Sequence, residues 1–414
     1  MLPPVLEIYI VRHPDDDAGA EFASQVFAHF HGTSFSGLIG GAIEVYVRSA
    51  PWRMGNGAPR PITFPGQLGP NGVPAAQLLA LVPVLSVPLA RAVQSDREGW
   101  AAYIEELVHS QAAHSDRIGI FPLAIDNGTY DVTQLGQLLR PYQRIAVPSG
   151  LTGREPAAEL RCRDLTQGIA QLIAGPDARL QVFISHTQRS GSGEEDVHSL
   201  IRLVREIISE TRLRHFFDAA DLQPGRDWDQ CLRNHAAHSA LLAVRTDLYA
   251  SRPWCQTEML TAKVAGMPIV ILDSLGRGEE RGSFLMDHLP RIPVREMNGE
   301  WSKADIRRGL NLLVDECLKQ AVWRVQKDLA ASRSDIEVGW WAPHAPEPIT
   351  ITHWLRDTAS HPNFVLGQAD LRVLHPDPPL GPDELQVLED MLRLMGHDGA
   401  FEVTTPRGLA ARGA

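Results

Sequence analysis

The sequence predicts an α/β protein with parallel sheets flanked by helices, and three observations lead to this fold class. Strand-like apolar runs alternate with amphipathic helical segments between residues 180 and 274. These runs are apolar along nearly their whole length, as in strands that are covered on both faces. A similar order of elements occurs within the first 175 residues. Such alternation is typical of parallel sheets built from strand–helix–strand units.

The central segment contains four predicted strands, and a polar residue stands at the end of each. The strands are expected at 180–185, 213–221, 240–246 and 267–274, and the helices between them at 195–210, 229–239 and 254–266. The Pro-Gly stretch "LQPGRDW" (222–228) predicts a loop. The strand ends carry Ser185, Asp218, Thr246 and Asp273. Because ligands of open parallel sheets bind beyond the carboxyl ends of the strands, this edge is the expected site.

The first part of the chain repeats this plan. "EIYIVRH" (7–13) resembles "QVFISH" (181–186), and segment 78–108 parallels 239–262, each with a tryptophan-led helix after an apolar strand. Further strands are expected at 42–52 and 117–126, a Pro/Gly-rich inserted loop at 51–72, a linker at 146–160 and a closing helix at 162–175. We infer two tandem related domains, with two unrelated α/β units as the alternative.

The pattern divides the chain into three expected domains: 1–176, 178–325 and 330–414. The last of these has Pro-rich stretches at 338–355 and 374–385 and one predicted helix at 382–396. We expect it to be a small Pro-rich α/β module, and its function is not indicated by any motif. Its end, "TTPRGLAARGA", is expected to be either a flexible tail or the end of a truncated chain.

The composition excludes several classes of function. The chain of 414 residues has a formal net charge of −11 at pH 7 and no Lys/Arg-rich block, so a nucleic-acid partner is not expected. It has no run of about 18 apolar residues and no basic leader, which predicts no membrane partner and a cytoplasmic location. The cysteines are far apart and are expected to be reduced thiols: Cys162, Cys231, Cys255 and Cys317.

The stretch "SRPWCQTEML" (251–260) predicts a helix that carries a tryptophan and a carboxylate on one face. Trp254 and Glu258 are four residues apart, Ser251 is the expected N-cap and Pro253 suits the first turn. An indole beside a carboxylate fits a ligand in which an aromatic ring is attached to a sugar. The alternative interpretation is a core tryptophan and a solvated glutamate.

Three motifs in order resemble the Toll/interleukin-1 receptor (TIR) domain, especially its bacterial members. They are "VFISH" (182–186), "FFDAADLQPGRDW" (216–228) and "LLAVRTDLYASRPWCQTEML" (241–260), within a resemblance that covers residues 178–325. The resemblance implies a flavodoxin-like parallel sheet. His186 stands where many members of the family have tyrosine.

The resemblance implies one of two functions, because TIR domains are either interaction modules or enzymes that cleave NAD⁺ between nicotinamide and ribose. The glutamate of W-C-x-x-E distinguishes the enzymes, and here it is Glu258, the implied catalytic residue. Trp254 would stack against the ligand. The other implied substrate-binding residues are Ser185, His186, Asp218, Gly225, Arg226, Trp228 and Tyr249. A metal ion is not implied.

A single carboxylate is chemically sufficient for this cleavage. Nicotinamide leaves NAD⁺ as a neutral molecule, so the second, proton-donating acid of ordinary glycosidases is not needed. No G-x-G-x-x-G follows the first strand of the central segment, so NAD⁺ would be the substrate and no cofactor is expected.

The resemblance to bacterial TIR proteins also implies the role of an antiphage effector. It would release nicotinamide and ADP-ribose, or a cyclic ADP-ribose isomer, when self-association through TIR domains or a trigger-sensing partner activates it. The alternatives are a non-enzymatic TIR interaction module and an α/β hydrolase that acts on another N-glycoside.

The first domain is expected to be a degenerate TIR-like copy with a regulatory or scaffold role. Trp100 corresponds to Trp254, but Ile104 occupies the position of Glu258. The carboxylates of Glu105 and Glu106 follow one and two places later, and one residue along a helix turns a side chain by about 100°. These carboxylates should therefore point away from the corresponding pocket.

Overall fold

The computed structural model describes most of the chain. The described residues are 4–32, 35, 43–53, 56–69, 72, 74–125, 128, 130–146, 154–175, 180–187, 195–211, 213, 216–218, 236–279, 281–332, 337–359 and 370–411. Contacts divide the chain into two compact units, one made mainly of residues 2–178 and the other mainly of residues 179–323 and 327–414.

The first unit is built from strands β1 to β7 and helices α1 to α5. The strands are β1 (Leu6–Val11), β2 (Ile43–Arg48), β3 (Pro51–Arg53), β4 (Asn56–Pro59), β5 (Leu78–Leu85), β6 (Ile118–Ile120) and β7 (Leu123–Ala124). The helices are α1 (Asp17–Phe30), α2 (Val87–Ser95), α3 (Ala102–Ala113), α4 (Gln134–Leu139) and α5 (Arg154–Ala174). A π-helical turn, Arg97–Ala101, leads into α3, and a 3-10 turn, Tyr130–Val132, precedes α4.

The main sheet of this unit is parallel, with the order β2-β1-β5-β6 and with β7 paired to the end of β5. Every residue of β5 is buried, because helices cover both faces of a central parallel strand. The strand predicted at 117–126 is two short strands, since Pro122 has no N–H to donate to a ladder. The inserted loop predicted at 51–72 contains the antiparallel hairpin β3–β4.

The second unit begins with a larger parallel sheet. Its strands are β8 (Val182–Ser185), β9 (Phe216–Asp218), β10 (Ala240–Arg245), β11 (Ile269–Asp273) and β12 (Arg291–Pro293), followed by the short pair β13 (Glu296–Met297) and β14 (Glu300–Trp301). Its helices are α6 (Glu195–Ser209), α7 (Pro253–Val264) and α8 (Lys303–Ala331). Most of the helix predicted at 229–239 falls outside the described residues.

The strands of this sheet lie in the order β12-β11-β10-β8-β9. Numbered by position in the chain, the order is 2-1-3-4-5, as in doubly wound flavodoxin-like sheets. Alternate residues face opposite sides: Val182 and Ile184 join a core with α6 and α8, whereas Phe183 joins a core with α7. The predicted fold class, a parallel sheet flanked by helices, is confirmed.

The chain ends in a three-stranded parallel sheet in the order β15-β16-β17, after the long helix α8. The elements are β15 (Trp340–Trp341), α9 (Pro348–Ala359), β16 (Leu371–Leu374), α10 (Pro382–Leu394), β17 (Phe401–Thr404) and α11 (Pro406–Ala411). A small core of its own includes Ile351, Val373 and Leu392. The prediction of an unpacked final segment was wrong for Thr404 to Ala411, because pairing with β16 orders β17 and α11 follows at once.

The C-terminal end of α7 packs against the segment that follows β15. The side-chain ammonium of Lys263 lies 2.7 Å from the Glu347 carboxylate and donates to the carbonyl of Asp287 at 3.0 Å. Gly266, just after the helix, has a φ of +66°, and its Cα faces the Pro343 ring. A left-handed residue beside another segment requires glycine. The helix that carries Glu258 is therefore held at one end by residues 343–347.

Gly266→Ala is expected to destabilise the protein more than Gly175→Ala, which serves as the matched control. Both glycines follow a helix with positive φ, +66° and +98°. A methyl group at 266 would overlap the Pro343 ring, whereas at 175 it meets nothing within 4 Å. We expect an additional loss of about 1–3 kcal/mol at position 266 from overpacking. Urea unfolding of the two variants measures it, and equal losses would contradict the packing described.

Candidate active site

The turn before α7 places the helix that carries Glu258. Tyr249–Ser251 forms a 3-10 turn, Arg252 is extended, and Pro253 begins the helix at a position where no N–H donor is needed. The prediction that Ser251 caps the helix was wrong, because the Ser251 hydroxyl donates to the Leu248 carbonyl at 2.8 Å. The 3-10 turn directs the Tyr249 side chain into the core, where Tyr249 is 1% exposed.

Three of the predicted site residues form a buried hydrogen-bonded chain. The Ser185 hydroxyl donates to Oε2 of Glu258 at 2.5 Å, and the Ser185 oxygen lies 2.6 Å from the Tyr249 hydroxyl. Since Ser185 has a single proton and gives it to the carboxylate, Tyr249 donates to Ser185. Ser185 is 1% exposed and Glu258 5% exposed. The solvated glutamate of the alternative interpretation is therefore not what the structure shows.

Burial also sets the protonation of the neighbouring groups. Burial, together with the negative charge of Glu258, raises the pKa of Tyr249 well above its ordinary value, so this phenol remains a donor. Burial likewise raises the pKa of the Cys255 thiol. Cys255 therefore remains a thiol, with its sulfur 3.8 Å from the His186 carbonyl, and is not an activated nucleophile. Cys162, Cys255 and Cys317 are buried free thiols, as predicted for these three.

Trp254 lies on the same helix one turn before Glu258 but at the surface, with 46% of its area exposed. The alternative interpretation, in which Trp254 is a core residue, is therefore wrong. The half-buried His186 directs Nδ1 at the carbonyl of Thr187 at 2.9 Å, and a carbonyl only accepts, so Nδ1 carries the proton. The arrangement runs from an exposed indole to a buried carboxylate along one face of α7.

The site lies at the carboxyl edge of the larger sheet. Ser185 ends β8, Asp273 ends β11, and Thr246 directly follows β10. The hydroxyls of Thr187 and Thr246 are 3.4 Å apart, which joins the ends of β8 and β10. Between these two strands the chain order reverses, and this switch point is where doubly wound sheets bind ligands.

Of the remaining predicted site residues, only Asp218 belongs to the described part of the chain. Asp218 ends β9, paired beside Ile184, and its side chain is outside the described residues. Gly225, Arg226 and Trp228 also lie outside the described part of the chain.

An ion-pair cluster that the sequence did not indicate lies at the ends of β10 and β11. Arg245 binds Glu279 through two nitrogens, at 2.9 and 2.5 Å, and contacts Asp273 at 3.3 Å. The hydrogen bond to Glu279 raises the pKa of Arg245 above its ordinary value. Asp273, predicted at the site edge, is thus engaged by Arg245.

In the first unit, the tryptophan predicted to correspond to Trp254 is buried. Trp100 is 2% exposed, against 46% for Trp254, and Ile104 is fully buried in an apolar cluster. Strand β4 covers Trp100: a methyl group on Gly57 would lie 3.3 Å from the indole. Glu105 and Glu106 lie outside this cluster, half-buried and exposed. At the position predicted to correspond to Glu258, the first unit has Ile104 and no carboxylate.

Comparisons with known proteins do not assign a family. No family model matches the chain, and no curated protein matches it. Among solved structures, tagatose-6-phosphate ketose/aldose isomerase from Escherichia coli aligns with 11% identity and a TM-score of 0.20, covering 77% of this chain and 82% of that one. A TM-score of this size does not establish a common fold.

Among the described residues, no helix has both the length and the apolarity to cross a bilayer. Within the same residues, no group of three or more His, Cys, Asp and Glu side chains is arranged to hold a metal ion.

Proposed function

We propose that the protein is an NAD⁺ glycohydrolase of the bacterial TIR type, with Glu258 as its catalytic residue. The observation that carries the proposal is the buried chain Tyr249–Ser185–Glu258 at the switch point of the sheet. The Glu258 carboxylate accepts from the Ser185 hydroxyl, which is itself held by the Tyr249 hydroxyl, and an exposed indole lies one turn away on the same helix. This arrangement suits one task. It stabilises positive charge that develops on a sugar held next to an aromatic ring.

The proposed reaction requires no acid. The bond between the nicotinamide nitrogen and the ribose breaks, the electron pair leaves with nicotinamide, and the ribose becomes oxocarbenium-like. Glu258 stabilises that charge, more strongly in its buried position than it would in water. Water then attacks the ribose and releases one proton to solvent, which gives ADP-ribose, or a ring nitrogen of the adenine attacks and gives a cyclic isomer. NAD⁺ is the substrate, and no cofactor takes part.

The other residues would position the substrate. Trp254 offers an exposed aromatic face for stacking, and His186 lies at the end of the strand that carries Ser185. By the sequence resemblance, Asp218, Gly225, Arg226 and Trp228 would complete the pocket. Ser185 and Tyr249 keep the Glu258 carboxylate in one orientation, and such preorganisation lowers the barrier.

We further propose that assembly activates the enzyme. Glu258 is only 5% exposed, so its carboxylate must become more accessible before it can contact a ribose. Residues 178–325 would form the catalytic domain and 1–176 a degenerate TIR-like copy with a regulatory role. The two parallel sheets support a tandem origin, since both have their first strand between the second and the third. Such an enzyme, activated by a trigger in the bacterial cytoplasm, would act in antiphage defence.

The second candidate function is a non-enzymatic TIR interaction module. The observation that favours it is that Glu258 is satisfied inside the molecule by Ser185. Nicotinamide release from NAD⁺ by concentrated protein separates the two. Saturable release of nicotinamide supports the glycohydrolase. An assembled sample that releases no nicotinamide supports the interaction module.

Ser185→Ala is expected to lower kcat for nicotinamide release about 10- to 100-fold with a smaller change in KM. The variant removes the hydrogen bonds to Glu258 and Tyr249, and a hydrogen bond to a charged group contributes roughly 1.5–3 kcal/mol. Initial rates over a range of NAD⁺ concentrations give both constants. Ser199→Ala, on the surface of α6, is the control and should keep the wild-type kcat. An unchanged kcat in Ser185→Ala would contradict the positioning role.

A further inference from the structure

The first unit contains a cavity that the proposed reaction does not use. It has a volume of about 430 Å³ and opens where β5 ends at Leu85. This volume is within the range of small-molecule sites, roughly 300–1,000 Å³. The lining residues are Leu85, Tyr130, Asp131, Gly136, Leu139, Arg140, Tyr142 and Arg144. The carboxyl edge of a parallel sheet is the usual place for a ligand.

The base of the cavity is apolar and firmly packed. Leu85 is 1% exposed and Leu139 3% exposed. Gly136 allows α4 to lie directly on the backbone of Tyr130, where a methyl group would overlap the Tyr130 carbonyl. The Gly136 N–H donates to the Thr133 hydroxyl at 3.1 Å, which caps the helix. The cavity is thus preformed rather than a gap between loose segments.

Two tyrosines supply aromatic surface. Tyr130 is buried at 3% exposure, and Tyr142 is half-buried. The Tyr142 hydroxyl donates to the side-chain oxygen of Gln111 at 2.9 Å, which fixes the ring on α3. A ring held at its hydroxyl end is suited to stacking because it loses little entropy when a flat ligand binds.

The cavity is lined by more positive than negative side chains. Arg144 pairs with Asp131 at 2.9 Å. Arg140 is exposed, and within the described residues it makes no ion pair. The lining therefore has one positive charge in excess, on a guanidinium that no described carboxylate engages. Arginine is the residue best suited to bind phosphate through paired N–H donors.

We propose that this cavity binds a nucleoside phosphate, with the base against Tyr142 and a phosphate on Arg140. An apolar ligand would leave the Arg140 guanidinium unengaged, since Arg144 and Asp131 already pair with each other. The site is distinct from the Glu258 site and does not rest on the proposed function. It gives the first unit a ligand-sensing role.

Isothermal titration of the full-length chain with ADP tests this site. Arg140→Gln should weaken ADP binding about tenfold or more, as expected for the loss of a charge-assisted contact. Tyr142→Leu should weaken it as well. Arg117→Gln, an exposed arginine of the same unit, is the control and should bind as the wild type does. Trp254→Ala should retain binding to the first unit, which separates this site from the Glu258 site.

Adenosine and inorganic phosphate, the two parts of the proposed ligand, are titrated separately in the same experiment. Each should bind more weakly than ADP, because each satisfies only one half of the cavity. Phosphate that binds as tightly as ADP would overturn the nucleoside part of the proposal. Absence of saturable ADP binding, unchanged binding by Arg140→Gln, or loss of all binding in Trp254→Ala would overturn the site itself. Circular dichroism confirms that each variant is folded.

Discussion

Glu258→Gln is expected to lower nicotinamide release on the order of a thousandfold while leaving the fold intact. Glutamine has the same shape, and its side-chain oxygen can still accept the Ser185 hydroxyl that now lies 2.5 Å from Glu258. The negative charge is lost, and with it the stabilisation of the oxocarbenium-like ribose. Initial rates of nicotinamide release at saturating NAD⁺ measure the effect, and urea unfolding shows that stability is retained.

Glu106→Gln is the matched control for this result. Glu106 lies on α3, the helix of the first unit that was predicted to correspond to α7, and is exposed rather than buried. We expect its rate to equal that of the wild type. A Glu258→Gln variant with more than a tenth of wild-type activity would contradict a catalytic charge at this position. If both variants lose the same fraction of activity, the loss reflects impaired assembly and not lost chemistry, because only Glu258 has the proposed chemical role.

Lys263→Met is expected to destabilise the second unit by roughly 3–5 kcal/mol. Lys263 and Glu347 form an ion pair at 2.7 Å with side chains only 5% and 11% exposed. The substitution leaves the Glu347 carboxylate without its partner in a site from which water is largely excluded. Because Lys263 is on α7, the loss should also loosen the helix that carries Glu258. Urea unfolding followed by circular dichroism measures the change.

Two comparisons show that the loss comes from the broken pair. Lys303→Met removes an exposed pair, with 52% and 53% exposure and a 3.5 Å separation from Glu206, and should cost less than about 1 kcal/mol. The double variant Lys263→Met with Glu347→Leu should recover most of the stability, because two apolar side chains can replace a buried ion pair. If the double variant is no more stable than Lys263→Met alone, the pair is not the cause.

The coarse fold could be predicted because each strand of the central sheet is a continuous apolar run. β10 and β11 lie within the predicted ranges 240–246 and 267–274, and parallel pairing brings the strand ends to one edge. The strand at 117–126 could not be predicted as two pieces from its apolar content. Pro122 interrupts the ladder even though the residues on both sides of it are apolar.

The geometry of the site could be predicted only in part. The helical spacing places Trp254 and Glu258 on one face of α7, as the structure shows. The two hydrogen bonds of Ser185, one donated to Glu258 and one accepted from Tyr249, join residues 73 and 64 positions apart, so no local pattern encodes them. The opposite exposures of Trp254 and Glu258 likewise depend on tertiary packing.

Long-range ion pairs could not be predicted from the sequence, because their partners meet only through tertiary packing. Arg245 meets Glu279 across 34 positions because two neighbouring strands end at the same edge. Lys263 meets Glu347 only because the segment after β15 folds back on α7. Charges that look solvated in the sequence become paired when the tertiary structure brings them together.

The most direct test of the central claim is a chromatographic time course of the products formed from NAD⁺ by the wild-type chain. The protein is assayed at increasing concentration and with a crowding agent that promotes assembly. We predict the release of nicotinamide in equal amounts with ADP-ribose or a cyclic isomer, at a rate per molecule that rises with protein concentration. Failure to release nicotinamide from an assembled sample, or release that is unchanged in Glu258→Gln, would contradict the account.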